Sequence, residues 1–357
     1  MEKVMVAMSG GVDSSVTAAI LNEKGYNVVG ATMKIVPDYI EESEKQEGSC
    51  CAIEDAKRVA SELDIPHYAF NIKKEFQKQV IDYFVQEYRR GRTPNPCVIC
   101  NKKIKFSTLI RKAKEIDCDY IATGHYSRIV KDKNLNRNLL YKAVDEQKDQ
   151  SYMLYNLTQK QLEHILFPLG GYNKKEVRNM ASRFDLPNYD KPDSQEICFV
   201  PNDDYTDFLE KYYSNLGDSG SIYYVNGEKI GSHEGLYNYT IGQRRGLGIS
   251  LDHPVYVIEI DNDANSLIVG PREELNFSGL IAKNVNWIAF DEAPESIEAE
   301  VKIRYNSEPV RAQIKTIDND KVKVEFAKNK RAVASGQSVV FYDDELVLGG
   351  GVIDESF

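Results

Sequence analysis

The chain has 357 residues, of which 42% are hydrophobic and 28% charged, with a net charge of −10 and six cysteines. That balance excludes a disordered or fibrous chain and allows two or three domains. No stretch approaches the ~20 apolar residues of a membrane helix, and Met-Glu-Lys-Val leads straight into a strand without a targeting pattern. A cytoplasmic protein with no membrane partner is therefore expected, and the sparse, uneven cysteines read as cytosolic thiols.

In chain order, strands are expected at 4–8, 27–35, 67–72 and 119–124, and helices at 14–24, 54–64, 73–90 and 102–116. This alternation predicts a parallel sheet with helices on both faces, whose ligands bind at the carboxyl ends of the strands. The first strand ends in Ser9-Gly10-Gly11-Val12-Asp13-Ser14-Ser15. The glycines let the backbone approach a ligand, the serines offer hydroxyls, and a helix N-terminus favours an anion. No Gly-Lys-Ser/Thr follows, so the loop is not a Walker A loop. Residues 36–53, with Cys50 and Cys51, read as a polar loop, and Cys118 as a buried thiol.

From Arg89 to Lys114 there are nine basic residues and no acidic one. This is a local positive field suited to phosphates, or else a solvated helix face. Within it lies Thr93-Pro94-Asn95-Pro96-Cys97-Val98-Ile99-Cys100-Asn101. The prolines are expected to bar a helix there, so that one begins at Asn101 and its N-terminus, with Lys102, Lys103 and Lys105, lowers the Cys100 thiol pKa. A structural zinc half-site is the alternative, but neither a second Cys-x-x-Cys nor a His pair is present.

Residues 127–147 read as a hairpin or loop, followed by helices at 149–157, 158–166, 174–185 and 204–213, the third with a capping box from Asn173 to Glu176. Beyond Gly217 strand patterns recur at 221–225, 255–260, 266–269, 280–290, 299–305, 311–317, 321–326 and 338–342, with a hairpin signal at Asp318-Asn319-Asp320. This part should form a small barrel or sandwich.

The Ser9–Ser15 run resembles the loop of the PP-loop ATP pyrophosphatases. Further runs are Thr93–Phe106, Thr123–Tyr126, Lys148–Tyr152, Asp193–Val200, Tyr239–Gly248, Arg304-Tyr305, Ala334–Ser338 and Leu348–Gly351. With these, the chain resembles the bacterial tRNA-specific 2-thiouridylases nearly end to end. The resemblance implies an α/β fold. A PP-loop, adenine nucleotide alpha hydrolase-like domain would span 1–202, a central β-rich domain 203–276 and a C-terminal β-barrel 277–357.

The resemblance further implies ATP bound by Ala7, Met8, Ser9, Gly10, Gly11, Val12, Asp13, Ser14, Met33 and Gly124. Mg2+ would sit on the pyrophosphate, with Asp13 as a ligand or as loop support. The wobble uridine of a tRNA would be adenylated at O2. Sulfur carried as a persulfide on Cys198 would then reach C2, directly or after release as hydrosulfide, while Cys100 acts as nucleophile and closes a disulfide with Cys198. Asn95, Pro96, Cys97, His125, Lys148, Asp149, Gln150, Arg304, Tyr305 and Gln337 would face the tRNA, for which the Lys, Glu and Gln isoacceptors are expected. Read without the resemblance, His125 is either such a contact or a histidine satisfied beside the sheet, and Cys198 a structural thiol. A cysteine desulfurase or a relay protein would supply the sulfur.

One familiar form of the family has an acid where this chain has Cys97. Cys97, Cys100 and Cys198 together would suit a [4Fe–4S] cluster with one open iron, an alternative to the persulfide. Two rival functions stand beside this one: a PP-loop enzyme adenylating a small molecule, and an RNA-binding or iron–sulfur protein with a vestigial nucleotide loop.

Overall fold

The computed structural model describes residues 1–40, 51–192 and 197–357, with the side chains of Cys51 and Ala52 left aside. Most of the loop expected over 36–53, including Cys50, lies outside the described residues, as do Asp193–Glu196. The helix that follows the loop already begins at Cys51 (Cys51–Glu62). The chain forms two compact units, each discontinuous in sequence.

The first unit comprises Met1–Ile81, Cys97–Asp203 and Glu345–Leu348. Its centre is a five-stranded sheet in the order His67–Asn71, Asn27–Lys34, Lys3–Ala7, Tyr120–Ala122, Ile165–Leu166, and every pairing is parallel. The apolar run Val4-Met5-Val6 is fully buried because helices cover both faces of a parallel sheet. Val12, Val16 and Ile20 of the helix Val12–Glu23 pack with Val177 and Ala181 of the helix Lys174–Arg183 in one core. The latter helix carries its capping box: Asn173 accepts from the Glu176 N–H and Glu176 from that of Asn173.

Elsewhere less helix forms than the sequence predicts. The expected helix 149–157 is only a 3-10 turn, Ser151–Met153. The helix expected at 158–166 ends at Leu162, and Ile165–Leu166 forms a sheet edge. Residues 127–147 form the hairpin Arg128–Asp132 and Arg137–Tyr141, and Leu346 pairs with Tyr141.

The helix around Cys100 differs from expectation at its start. It begins at Pro96 and runs Pro96–Cys100, because proline is well tolerated in a first helical turn, where its missing N–H costs nothing. It widens into a π-helix over Asn101–Thr108 and returns to α over Leu109–Lys114. Polar side chains support the wide turns. Ser107 Oγ and Gln161 Nε2 both donate to the Lys102 carbonyl, and Gln161 also donates to that of Phe106 at 2.7 Å.

The second unit comprises Asp82–Pro96, Asp204–Asp344 and Gly349–Phe357. A four-stranded sheet in the order Tyr256–Asp261, Ser266–Gly270, Gly220–Tyr224, Lys229–His233 encloses Ile222, Leu247, Val257 and Leu267. A barrel wall of six hydrogen-bonded strands follows in the order Asn276–Trp287, Val322–Arg331, Val310–Thr316, Ser296–Lys302, Ser338–Asp343, Leu346–Ser356. Its first and last strands pair, so it closes into a barrel. The Asp318–Asp320 turn joins two antiparallel neighbours, as its sequence predicts. Lys229–His233 and Leu346–Ser356 are strands that the sequence pattern does not mark, since their glycines interrupt the alternation.

Candidate functional site

The Ser9–Ser15 loop leaves the central strand at its carboxyl end. Gly10 adopts φ +73°, the left-handed region, and Gly11 offers no side chain to cap the helix behind it. The first-turn N–H groups therefore stay available to an anion. Ser14 Oγ and Ser15 Oγ each donate to the Gly11 carbonyl at 3.0 Å, and Ser14 Oγ accepts from the Ser9 N–H at 3.2 Å. Asn188 Nδ2 donates to the Gly10 carbonyl and to Ser15 Oγ, both at 3.0 Å. The loop is thus held in shape by its own hydroxyls and by a buried amide distant in sequence.

Gly124 backs onto this loop. A Cβ there would stand 2.8 Å from the Asp13 carbonyl carbon, so only glycine permits the approach. Ala7 ends its strand, and the buried Met8 continues the pairing through its N–H to the Ala31 carbonyl, while its own carbonyl accepts from Thr32 Oγ1. Half-buried Met33 lies at the same sheet end, at the close of its strand.

Asp13 points to its own chain. Both carboxylate oxygens accept from Lys174 Nζ, at 2.8 and 2.9 Å, and Tyr126 Oη donates to Oδ1 at 2.8 Å. These contacts brace the loop, one of the two roles expected of Asp13. Lys174 and Asn188 were not legible in the sequence, because neither falls in a motif.

Cys97, Cys100 and Cys198 are free thiols in one electrostatic neighbourhood, since Cys198 feels both others. The expectation that Cys100 would be acidified is overturned. Cys100 ends the first helical turn instead of preceding the helix, and burial pushes its thiol up to about 11. Cys97 and Cys198 keep open surface, yet crowding by protein raises them too, Cys198 further because Cys100 and Cys97 lie near. The Lys105 ammonium opposes the rise at all three.

A cluster needs its ligands gathered around one point. Among the described residues, no three His, Cys, Asp or Glu side chains are placed to hold a metal ion. As they stand, Cys97, Cys100 and Cys198 are not gathered around one point as a cluster site.

Four of the nine basic residues of the run are paired with carboxylates. Arg92 binds Glu87 and Asp354, Arg90 binds Glu87, Arg111 binds Glu75 and Glu115, and Lys112 binds Glu115. The positive field expected over Arg89–Lys114 is therefore narrowed to fewer residues, with Lys105 facing the thiols.

His125 is buried between Phe106 and Phe167, with Nδ1 2.6 Å from Thr123 Oγ1. Burial first, and then Lys105, hold it well below the ordinary histidine range, so the ring is neutral. Asp149 accepts from the N–H groups of Ala143 and Ser151 and from Ser151 Oγ, which ties its turn. Gln150 clasps Tyr126 through its own N–H and its Oε1. Lys148 is half-buried beside them.

In the second unit, Gln337 Nε2 donates to the Thr93 carbonyl at 3.0 Å, two residues before half-buried Asn95 and three before buried Pro96. Arg304 is exposed in the turn after Ser296–Lys302, and Lys302 lies 6.0 Å from the Tyr305 ring centre. A cation beside an aromatic face on an open turn suits phosphate contact and base stacking.

Family models cover almost the whole chain: a tRNA methyl transferase HUP domain at residues 2–202, a tRNA methyl transferase PRC-barrel domain at 206–271 and an aminomethyltransferase beta-barrel domain at 277–353. The chain is 55% identical over its full length to the whole of the tRNA-specific 2-thiouridylase MnmA of Halothermothrix orenii. The chain belongs to the tRNA-specific 2-thiouridylase family. The proteins of the same name from Carboxydothermus hydrogenoformans and Clostridioides difficile are 49% and 47% identical, each match covering 99% of this chain and 98% and 99% of theirs. The family likeness thus includes both units and is not confined to the nucleotide-type loop. No described helix is long and apolar enough to cross a membrane.

Proposed function

We propose that the protein uses ATP to place sulfur on C2 of the wobble uridine of tRNA. The observation that supports this reading is that Cys198 lies near enough to Cys100 to feel its charge, in the same unit as the Ser9–Ser15 loop, despite their separation in sequence. A phosphate-accepting loop alone fits any adenylating enzyme. A second thiol beside the first adds the means to move sulfur.

The loop N–H groups hold the pyrophosphate end of Mg-ATP while uridine O2 attacks the α-phosphorus and pyrophosphate departs with the bond electrons. Adenylation makes the C2 oxygen a leaving group. The outer sulfur of a Cys198 persulfide attacks C2, and AMP leaves with that oxygen. Cys100, giving up its thiol proton to water as it attacks, then displaces the Cys198 sulfur from the outer one, whose bond electrons stay with it on C2, and a Cys100–Cys198 disulfide closes. An external dithiol reduces the disulfide before the next turnover, and a persulfide donor such as a cysteine desulfurase or a relay protein reloads Cys198. The target uridine must leave its stack to reach the loop. Lys148, Arg304 and Tyr305 are our candidates for grip on the tRNA, with the Lys, Glu and Gln isoacceptors as substrates.

The family-model descriptions speak of methyl transfer, and the full-length relatives of thiolation. Two free thiols in one electrostatic neighbourhood support the second. Mass spectrometry of unmodified tRNA incubated with iron-free protein, Mg-ATP and a persulfide donor tests the reading. 2-Thiouridine is expected from the wild type and none from Cys198→Ser. No product from the wild type, with AMP formed on a small acceptor, would transfer the assignment to the small-molecule rival.

A further inference from the structure

Resting on the loop as a nucleotide-phosphate cradle, we propose that Lys174 is a positioning residue whose ammonium cancels the Asp13 carboxylate and so keeps the loop open to a polyanion. Asp13 stands in the first turn of Val12–Glu23, where a phosphate chain would lie. An uncompensated carboxylate there would repel the ligand that the N–H groups attract.

Lys174 removes that conflict. It reaches both Asp13 oxygens, at 2.8 and 2.9 Å, and its side chain is 13% exposed against 31% for Asp13, so solvent screens the pair little. Tyr126 Oη fixes Oδ1 from another side, and Lys174 Nζ lies 5.9 Å from the Tyr126 ring centre. The placement of Lys174 in its own helix points the same way. It is the first residue of Lys174–Arg183, where a cation opposes the helix dipole. Helix stability does not call for a lysine there, whereas Asp13 does. Two features aim the side chain. The capping box sets the start of the helix, and the Lys174 N–H donates to Asp145 Oδ2 at 2.9 Å.

The test is equilibrium binding of a fluorescent ATP analogue to the full chain without magnesium. It compares wild type with Lys174→Met, Lys174→Arg, Asp13→Asn and the double variant Asp13→Asn/Lys174→Met. Lys174→Met is expected to weaken binding about tenfold or more, as an unscreened like charge would. Lys174→Arg, Asp13→Asn and the double variant are expected to stay within about threefold of wild type or to bind more tightly. A double variant as weak as Lys174→Met, or a Lys174→Met unchanged from wild type, would overturn the proposal. If circular dichroism shows Lys174→Met unfolded, the comparison of Asp13→Asn with wild type decides, and weaker binding by Asp13→Asn counts against the proposal. Wild type that binds the analogue in this pattern yet thiolates no tRNA would leave the charge cancellation standing and end the thiolation reading. Wild type that binds no analogue would end both.

Discussion

Asn188 Nδ2 donates at once to the Gly10 carbonyl and to Ser15 Oγ, so one buried amide holds both ends of the loop. Its Oδ1 has no hydrogen bond among the described residues. Asn188→Ala leaves the Gly10 carbonyl without this donor in a buried setting, which costs about 1–3 kcal/mol. We expect a lower urea midpoint and an ATP KM raised roughly tenfold for a loosened cradle. An unchanged KM with lowered stability would show that the loop keeps its shape unaided.

Thiol reactivity should follow burial. Cys100, pushed up to about 11, is almost wholly protonated at neutral pH, and its thiolate fraction rises about tenfold per pH unit below that value. Iodoacetamide labelling of Cys100 resolved by mass spectrometry should therefore steepen from pH 7 to 10. A flat profile would mean that the thiol is already ionised. The same shift has a stability sign. The unfolded thiol loses its proton first, so the contribution is complete below about pH 9 and is lost as pH rises toward 11. Wild type should lose more stability than Cys100→Ala between pH 8 and 10.5 in urea titrations.

Asp149 and Lys148 should separate. Asp149→Ala removes three hydrogen bonds that tie a turn and should cost about 1–3 kcal/mol. Lys148→Ala should leave the melting temperature nearly unchanged while weakening tRNA and flattening the salt dependence of its binding. Filter binding at several salt concentrations, alongside thermal melts, checks both. A Lys148→Ala variant that binds tRNA normally would remove that residue from the interface.

Gly336 adopts φ +92°, and a Cβ on it would meet the Thr93 backbone at 3.0 Å. Gly336→Ala should destabilise the second unit by more than about 1 kcal/mol, through backbone strain and the displaced Thr93. Hydrogen exchange should show the loss first around Thr93 and Gln337. Unchanged protection there would show that the segment adapts freely.

The glycine–serine loop behind the first strand, the alternating first unit and the β-rich second one were legible along the chain, because each rests on local pattern. Small residues must follow a strand for a backbone cradle, and alternating apolar residues bury one face of a sheet. The Asn173–Glu176 cap was legible for the same reason, since its partners lie three residues apart. The ionisation of Cys100, the surroundings of His125 and the pairing of the basic run were not. Desolvation and ion pairing come from residues far away in the chain: Phe106 and Phe167 around His125, Asp354 on Arg92. The thiol that sequence neighbours should acidify is instead raised by burial, which no window of residues contains. Lys174 and Asn188 belong to the loop only because Lys174–Arg183 packs against Val12–Glu23. Contacts made by packing across such separations leave no local spacing to read.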